Sequence, residues 1–427
     1  MGPAFRGRLP HDRLPGGALS GGARDSRTVP DPATTRRAEQ LLGAPVGRRL
    51  LAGLAGVTFP SLLDELSVPL PPTLARLVRD SPPHRGRRRH APRRVGGRVH
   101  LDPLRRRASA HRTGARDHRR ALEVSGGDAA AAVRRLRETP ANRRRVDPAT
   151  TAAVLRALAD AVFDVGFSGN EEEYDLLLRE AEDELRPVAT ALVRAPAAAW
   201  WWEGVLGADQ RYLCRRRSGE PGGAAERPPS PEEVARRLEA ATDVLRKEEA
   251  DARQRYPTPD SVPEQASGSW WSVPARLLFT SRPLPPLPAL ELGCSEDPGE
   301  DPALVWSLRV PESARVFEVR EPDDWAALVG VAPLEVTMSR MGDWRRWTGK
   351  DGPFYLPDWV ALRASYDLVH LTVGGYLSTR SLPVPVVDGY SVLAGWDPDV
   401  SLWLHGDADE VRRVGEWSGR PGPEAWG

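Results

Sequence analysis

Two short stretches repeat one chemical pattern. Residues 278–285 read LFTSRPLP and residues 376–383 read YLSTRSLP: an apolar pair, two hydroxyl residues, an arginine, then Leu-Pro. Read as strand ends, each brings hydroxyls and a guanidinium fork together on a phosphate or a carboxylate. Thr280, Ser281 and Arg282 form the first set, and Ser378, Thr379 and Arg380 the second. The alternative is a pair of strand-to-turn exits whose hydroxyls bond the local backbone. Downstream, Asp397-Pro398-Asp399 supplies two carboxylates two residues apart, either around a cation or, as such spacing more often means, on a turn. His370 sits in the alternating run LVHLTV, as a general base near neutral pH or as a satisfied core histidine.

These residues need a scaffold, and residues 356–404 are organised to provide one. Leu368, His370 and Thr372 alternate with Val369, Leu371 and Val373, the period of a half-buried strand. Gly374-Gly375 breaks that strand, and Tyr376 to Thr379 resumes an extended run. Asp388-Gly389 is a hairpin signal, Asp397–Asp399 turns again, and Ser401–Leu404 closes with an aromatic-rich strand. Further strands are expected at Leu277–Thr280, Leu304–Val310, Arg315–Val319 and Leu334–Met338. Short helices are expected at Pro322–Leu328 and Pro357–Ala364, and GDADE at 406–410 reads as a helix N-terminus.

Upstream the periodicity is helical. Asp31-Pro32 caps a short helix to Leu42, and Leu50–Gly56, Ser61–Val68 and Pro72–Asp80 follow as further short ones. Another helix spans Asp128–Thr139. Asp147-Pro148 opens a core helix with Val154, Leu155, Leu158, Val162 and Phe163 on one face. Asn170 caps the next, whose buried stripe is Leu176, Leu177, Ala181 and Leu185 and which Pro187 kinks or divides. Trp200-Trp201-Trp202 cannot all face one core; they wedge the helical and C-terminal parts together or wall a ligand site. Ser230-Pro231-Glu232-Glu233 is a capping box, opening a helix to about Tyr256 with Val234, Leu238, Ala241 and Leu245 inward. Glu232/Arg236 and Glu233/Arg237 are spaced for ion pairs on its exposed side.

The expected fold class is therefore α+β: a helical middle region, then a mixed, mainly antiparallel sheet module with short helices. The expected divisions are a low-complexity, basic region at 1–125, largely disordered or frameshifted and with short helices, a helical region at 126–215, a linker at 216–229, the capped helix at 230–256 and the module at 270–416. Residues 1–122 hold 25 arginines against 9 acids, and the remainder 35 basic residues against 50 acids, so a net charge of +1 hides a basic front and an acidic body. Residues 84–120 carry five of the eight histidines without an apolar stripe. They read as a phosphate-binding arm, a solvated linker or the product of a shifted reading frame; nucleic acid is a partner only through that arm. No apolar run is long enough to span a membrane and no secretory leader is visible, so the expectation is a cytoplasmic protein without a membrane partner. Cys214 and Cys294 stand apart in loop-like contexts and imply neither zinc nor a disulfide framework.

No P-loop, HExxH, GxSxG, dinucleotide fingerprint or EF-hand loop occurs, which removes the common nucleotide-binding and hydrolase classes. On the two hydroxyl–arginine stretches and the late acids, the C-terminal part resembles the ADP-ribosyltransferases, in which a hydroxyl strand supports the nicotinamide pocket and a late acid positions the ribose. The resemblance implies NAD as cofactor. It places Asp397 or Asp399 with Ser378 and Thr379 in catalysis, and Thr280, Ser281, Arg282 and Arg380 in cofactor binding, although DPD stands where that family carries a glutamate. The stretch from about 270 to 404 also resembles an uncharacterised family of high-GC actinobacterial proteins. The missing motifs and the dense tryptophans from Trp270 to Trp403 favour a non-enzymatic reading: a soluble protein that binds a small molecule or a protein partner. No cofactor is then required, and NAD belongs to the enzymatic alternative.

Overall fold

A computed structural model describes residues 30–66, 128–139, 151–167, 171–215, 227–263, 266, 270–274, 276–296 and 302–419. The arginine-rich stretch 84–120, the helix expected at 72–80, the caps at 147–148 and Asn170, and most of the linker lie outside the described residues.

The helical half opens with α1 (Pro32–Gly43), capped by Asp31, whose side chain accepts from the amides of Ala33 and Thr34. α2 (Pro45–Leu54), α3 (Phe59–Glu65) and α4 (Ala129–Arg137) follow, then α5 (Thr151–Phe167), α6 (Glu171–Glu180) and α7 (Glu182–Arg194). The apolar faces read from sequence are the buried ones: Val154, Leu155, Leu158 and Val162 on α5, and Leu177, Ala181 and Leu185 along α6–α7. The break falls at Ala181, not at Pro187, which lies inside α7 on its exposed side. A buried ion pair ties the layer together, Arg48 donating to Asp175 at 2.9 and 2.7 Å.

A 3₁₀ turn over Pro196–Trp202 leads into β1 (Gln210–Arg215), a strand where the sequence suggested only the end of a helical region. α8 (Pro231–Arg255) has the anticipated capping box, Ser230 and Glu233 bonding each other's backbone amides. Glu233 takes Arg227 as its ion-pair partner. Then come β2 (Leu278–Ser281), β3 (Ala303–Leu308), β4 (Val316–Val319), α9 (Pro322–Val331), β5 (Pro333–Glu335), α10 (Thr337–Thr348), β6 (Tyr355–Pro357) and β7 (Leu368–Leu371). α11 (Val373–Thr379), β8 (Val384–Val386), β9 (Gly389–Ser391), β10 (Val400–Trp403) and β11 (Val411–Trp417) complete the chain.

Seven strands form one sheet in the order β11–β3–β1–β2–β10–β7–β4, antiparallel except for the parallel pair β4–β7. The class is α+β. β1 lies between β2 and β3, so the helical half contributes a central strand to the sheet. One apolar cluster runs from Leu41 and Leu50 in the helical layer through Trp201 to Val369 and Leu402 in the sheet. A second, around Trp344 and Phe354, packs α8 and α10 over the β5–β6 pair.

Several local expectations are corrected. Tyr376–Thr379 is helical: Thr372 caps α11 by accepting from the Gly375 amide at 2.9 Å, and local capping outweighs the strand propensity of Tyr and Thr. Residues 337–338 begin α10 instead of ending a strand. GDADE is a loop into β11, not a helix start. Cys214 lies within β1, and both cysteines are buried and outside any disulfide. No helix among the described residues is long and apolar enough to cross a membrane.

Candidate functional site

Strand register decides which side chains meet. Glu318 of β4 is opposite His370 of β7, His370 is opposite Ser401 of β10, and Ser401 is opposite Thr280 of β2. Directly opposed residues share a sheet face. These four therefore make a polar row across the sheet, which Asp399 and Arg282, each two residues along its strand, extend. His370, Thr280 and Ser401 are wholly buried, and Asp399 and Arg282 nearly so.

The row is tightly wired. His370 Nδ1 lies 2.6 Å from Glu318 Oε2, and Nε2 lies 3.4 Å from Asp399 Oδ1, an ion-pair contact without hydrogen-bond alignment. Arg282 donates from Nε to Asp399 Oδ1 at 2.8 Å and from its backbone amide to Oδ2 at 3.2 Å. Its guanidinium lies 4.4 Å from the centre of the Trp200 ring, a cation–π contact. Thr280 Oγ1 donates to Gln210 Oε1 at 2.8 Å and accepts from Trp403 Nε1 at 2.9 Å.

Electrostatics follow from this geometry. Burial disfavours the imidazolium of His370, but the Asp399 carboxylate beside Nε2 and the Glu318 carboxylate bonded to Nδ1 prevail and raise its pKa to about 8. Burial pushes the Asp399 and Glu318 carboxyls up, yet His370, with Arg282 beside Asp399, leaves both below their usual range. The cluster is thus two carboxylates neutralised by one guanidinium and one imidazolium.

The second half of the DPD turn's chemistry points elsewhere. Asp397 Oδ1 accepts from the Glu296 amide at 2.9 Å, and Glu296 forks onto Arg380, with Nε to Oε1 at 2.9 Å and Nη2 to Oε2 at 3.1 Å. Tyr376 donates to the same carboxylate at 2.9 Å. Burial, with the Glu296 charge nearby, pushes Asp397 up to about 7. DPD is a turn, as its spacing suggests, but neither carboxylate is a free surface group: Asp397 holds the Glu296 loop and Asp399 holds Arg282 and His370.

The structure therefore brings Asp399 and Arg282 onto the face that carries Thr280, while Ser281, paired with Val400, turns its hydroxyl to the other face. It places Ser378, Thr379 and Arg380 on and just after α11 instead, where Arg380 bonds the Glu296 carboxylate. Ser378 Oγ donates to Gly374 O at 2.8 Å, the local backbone bond that the blander reading anticipates, while Ser281 Oγ accepts from the Glu291 amide at 3.3 Å. Thr379 Oγ1 is buried without a hydrogen-bond partner. Both candidate arginines are ion-paired inside the protein. Sequence reasoning missed Glu318 and Glu296. The first had a signal, the alternation Val316-Phe317-Glu318-Val319; the second lies in irregular chain and had none.

A surface concavity lies apart from this row. Arg227, Pro228, Pro229 and Pro231 face Gly406–Asp409 and Val411 across Trp306 and Pro311, enclosing about 430 Å³. Among the described residues, Trp201, Trp325, Trp344, Trp359, Trp396, Trp403 and Trp417 are buried in the core. No family model, curated protein or solved structure matches the chain.

Proposed function

We propose that the chain is a binding protein whose ligand enters the groove over Trp306. The supporting observation is how polar groups are distributed. The side chains best suited to chemistry are buried and bonded to one another, whereas the groove is open and lined by prolines, Trp306, Val411 and Arg227, the last paired with Glu233, with Asp407 and Asp409 exposed at its edge. Such a surface suits an apolar or aromatic body with a cationic end, for example an extended peptide carrying arginine or lysine beside an aromatic residue. Calorimetric titration of the full chain with peptides of that composition is the test. Binding that weakens about tenfold or more in the Asp407→Asn/Asp409→Asn double variant supports the reading, a loss of about 1.4 kcal/mol. Equal affinity in both proteins, or none in either, overturns it.

One observation favours an enzymatic second reading, an ADP-ribosyltransferase-like use of NAD. The β2–β10 register puts the Asp399 carboxylate beside the Thr280–Ser281 hydroxyl strand, as that chemistry demands of a carboxylate that steadies an oxocarbenium charge. Against it, Arg282 and Arg380 would have to leave buried carboxylates to reach dinucleotide phosphates. Incubation with labelled NAD decides: nicotinamide release by the wild type but not by Asp399→Ala supports the enzyme, and equal release or none sinks it.

A further inference from the structure

The segment after the tryptophan triplet is a strap across the polar row. Trp200 lies under the Arg282 guanidinium, the Val205 amide donates to Glu318 Oε1 at 2.9 Å, and Gly204 O is 3.5 Å from Arg282 Nη2. A Cβ at Gly204 would stand 2.7 Å from Glu318 Oε1, so a side chain here would push the Glu318 carboxylate aside. Trp201 and Trp202 anchor one end of the strap in the core, and the polar hold of Glu203–Leu206 on the sheet runs through Glu318 and Arg282, both tied to His370, directly or through Asp399.

We propose that His370 is a proton-operated latch which holds the Glu203–Leu206 strap against the sheet. With the imidazole protonated, two carboxylates meet two cations in a site closed to water. Without that proton, Arg282 stays committed to Asp399, and Glu318 keeps the charge of Arg320 but loses that of the imidazolium. Glu318 is then a largely buried anion that keeps the Val205 amide and the Nδ1–H of the neutral imidazole as donors but no longer faces the imidazolium charge. A carboxylate in that position is driven toward solvent, and its side chain, the least buried of the four, leaves by displacing the strap it holds.

The charged groups facing His370 are Glu318 from β4 and Asp399 from the turn before β10. Arg282 beyond β2 and Arg320 beyond β4 act on it through these two, on Asp399 and Glu318 respectively. Ser401 from β10 adds a neutral hydroxyl. Asp397 and Glu291 also titrate near neutrality, but Asp397 bonds the Glu296 loop and Glu291 pairs with Arg215, so neither bonds the strap. The raised pKa of His370 puts release on the alkaline side of neutrality.

Hydrogen exchange of the full chain tests the latch, read on peptides covering 200–206 at pH 6 and pH 9 and corrected for the intrinsic dependence of exchange on pH. Protection of the strap is expected to fall by about tenfold or more at the higher pH, one decade corresponding to one pKa unit of coupling. His370→Gln, which takes up no proton, is expected to show low protection at both. Glu318→Gln keeps a carbonyl oxygen for Val205 and removes the charge, so its strap is expected to stay protected at both. Should His370→Gln fail to fold, the wild-type and Glu318→Gln pair still decides. Equal wild-type protection at the two pH values overturns the latch, and so does a Glu318→Gln strap that loosens with pH as the wild type does.

Discussion

Asp399 has φ of 56°, in the left-handed region that aspartate tolerates better than most residues, and from there it serves Arg282 and His370 at once. A buried pair contributes little over an apolar replacement but is costly to break halfway. Asp399→Ala is therefore expected to lower stability by about 3–5 kcal/mol in urea denaturation, whereas Arg282→Met/Asp399→Leu is expected to lose much less. Equal losses from the two would show that the pair is not desolvated. The pKa directions set the pH dependence. His370 is raised to about 8, so its contribution is full below its unfolded value of about 6.5 and lost as pH rises through 8. Asp397 and Glu291, raised to about 7 by burial, act in the same direction, because deprotonating them strands a charge in the folded state. Asp399 and Glu318 are lowered, so their contribution exists above the ordinary carboxylate range and disappears as pH falls through their folded values. The urea midpoint is thus expected to be highest at mildly acidic pH and to fall by pH 9. In His370→Gln that alkaline decline is expected to be shallower; an identical decline would remove His370 as its source.

The strand-to-helix junction at β7 and α11 depends on two adjacent glycines. A Cβ on Gly374 would meet the Trp202 indole nitrogen at 2.3 Å, and one on Gly375 would meet Val319 O at 2.1 Å. Indole can shift, but the end of β4 cannot without breaking its pairing with β7. Gly375→Ala is expected to cost about 1–3 kcal/mol and Gly374→Ala less, as measured by urea midpoints. The reverse order would show that the tryptophan, not the strand, is the rigid partner. The β8–β9 hairpin presents the opposite case. Its first turn residue is Val387, two-thirds exposed at φ 51°, where a β-branched side chain is disfavoured. Val387→Gly is expected to raise the thermal midpoint, by about 1 kcal/mol of stability. No change would mean that the turn adopts another conformation at no cost.

On the scale of the whole molecule, the position of β1 governs cooperativity. It pairs with β3 over six residues and also with β2, so chain from before the linker closes the middle of the sheet. A fragment starting at Arg227 leaves β2 and β3 with facing unpaired edges, a state prone to aggregation. Such a fragment is expected to lack a cooperative thermal transition by circular dichroism. A sharp transition close to that of the full chain would show that the C-terminal module folds alone.

Element existence was largely written in local sequence. The Asp31 and Ser230 caps, the apolar faces of α5 and α6, the Leu368–Leu371 strand and the DPD turn depend on interactions within a few residues, which spacing and residue type report directly. What spacing cannot report is partnership between distant strands. Tyr376–Thr379 has the residues of a strand and folds as a helix because Thr372 caps it and glycine admits β4 and Trp202. Gln210–Arg215 joins the sheet because edges from residues 278–308 lie on both sides of it. Asp399, Thr280 and Arg282 were each visible as chemically able residues. Their assembly with His370 and Glu318 was decided by tertiary structure alone, since a cross-strand register is a contact between segments tens to more than a hundred residues apart. The same register turned groups that read as free acids and bases into one buried, mutually neutralised row.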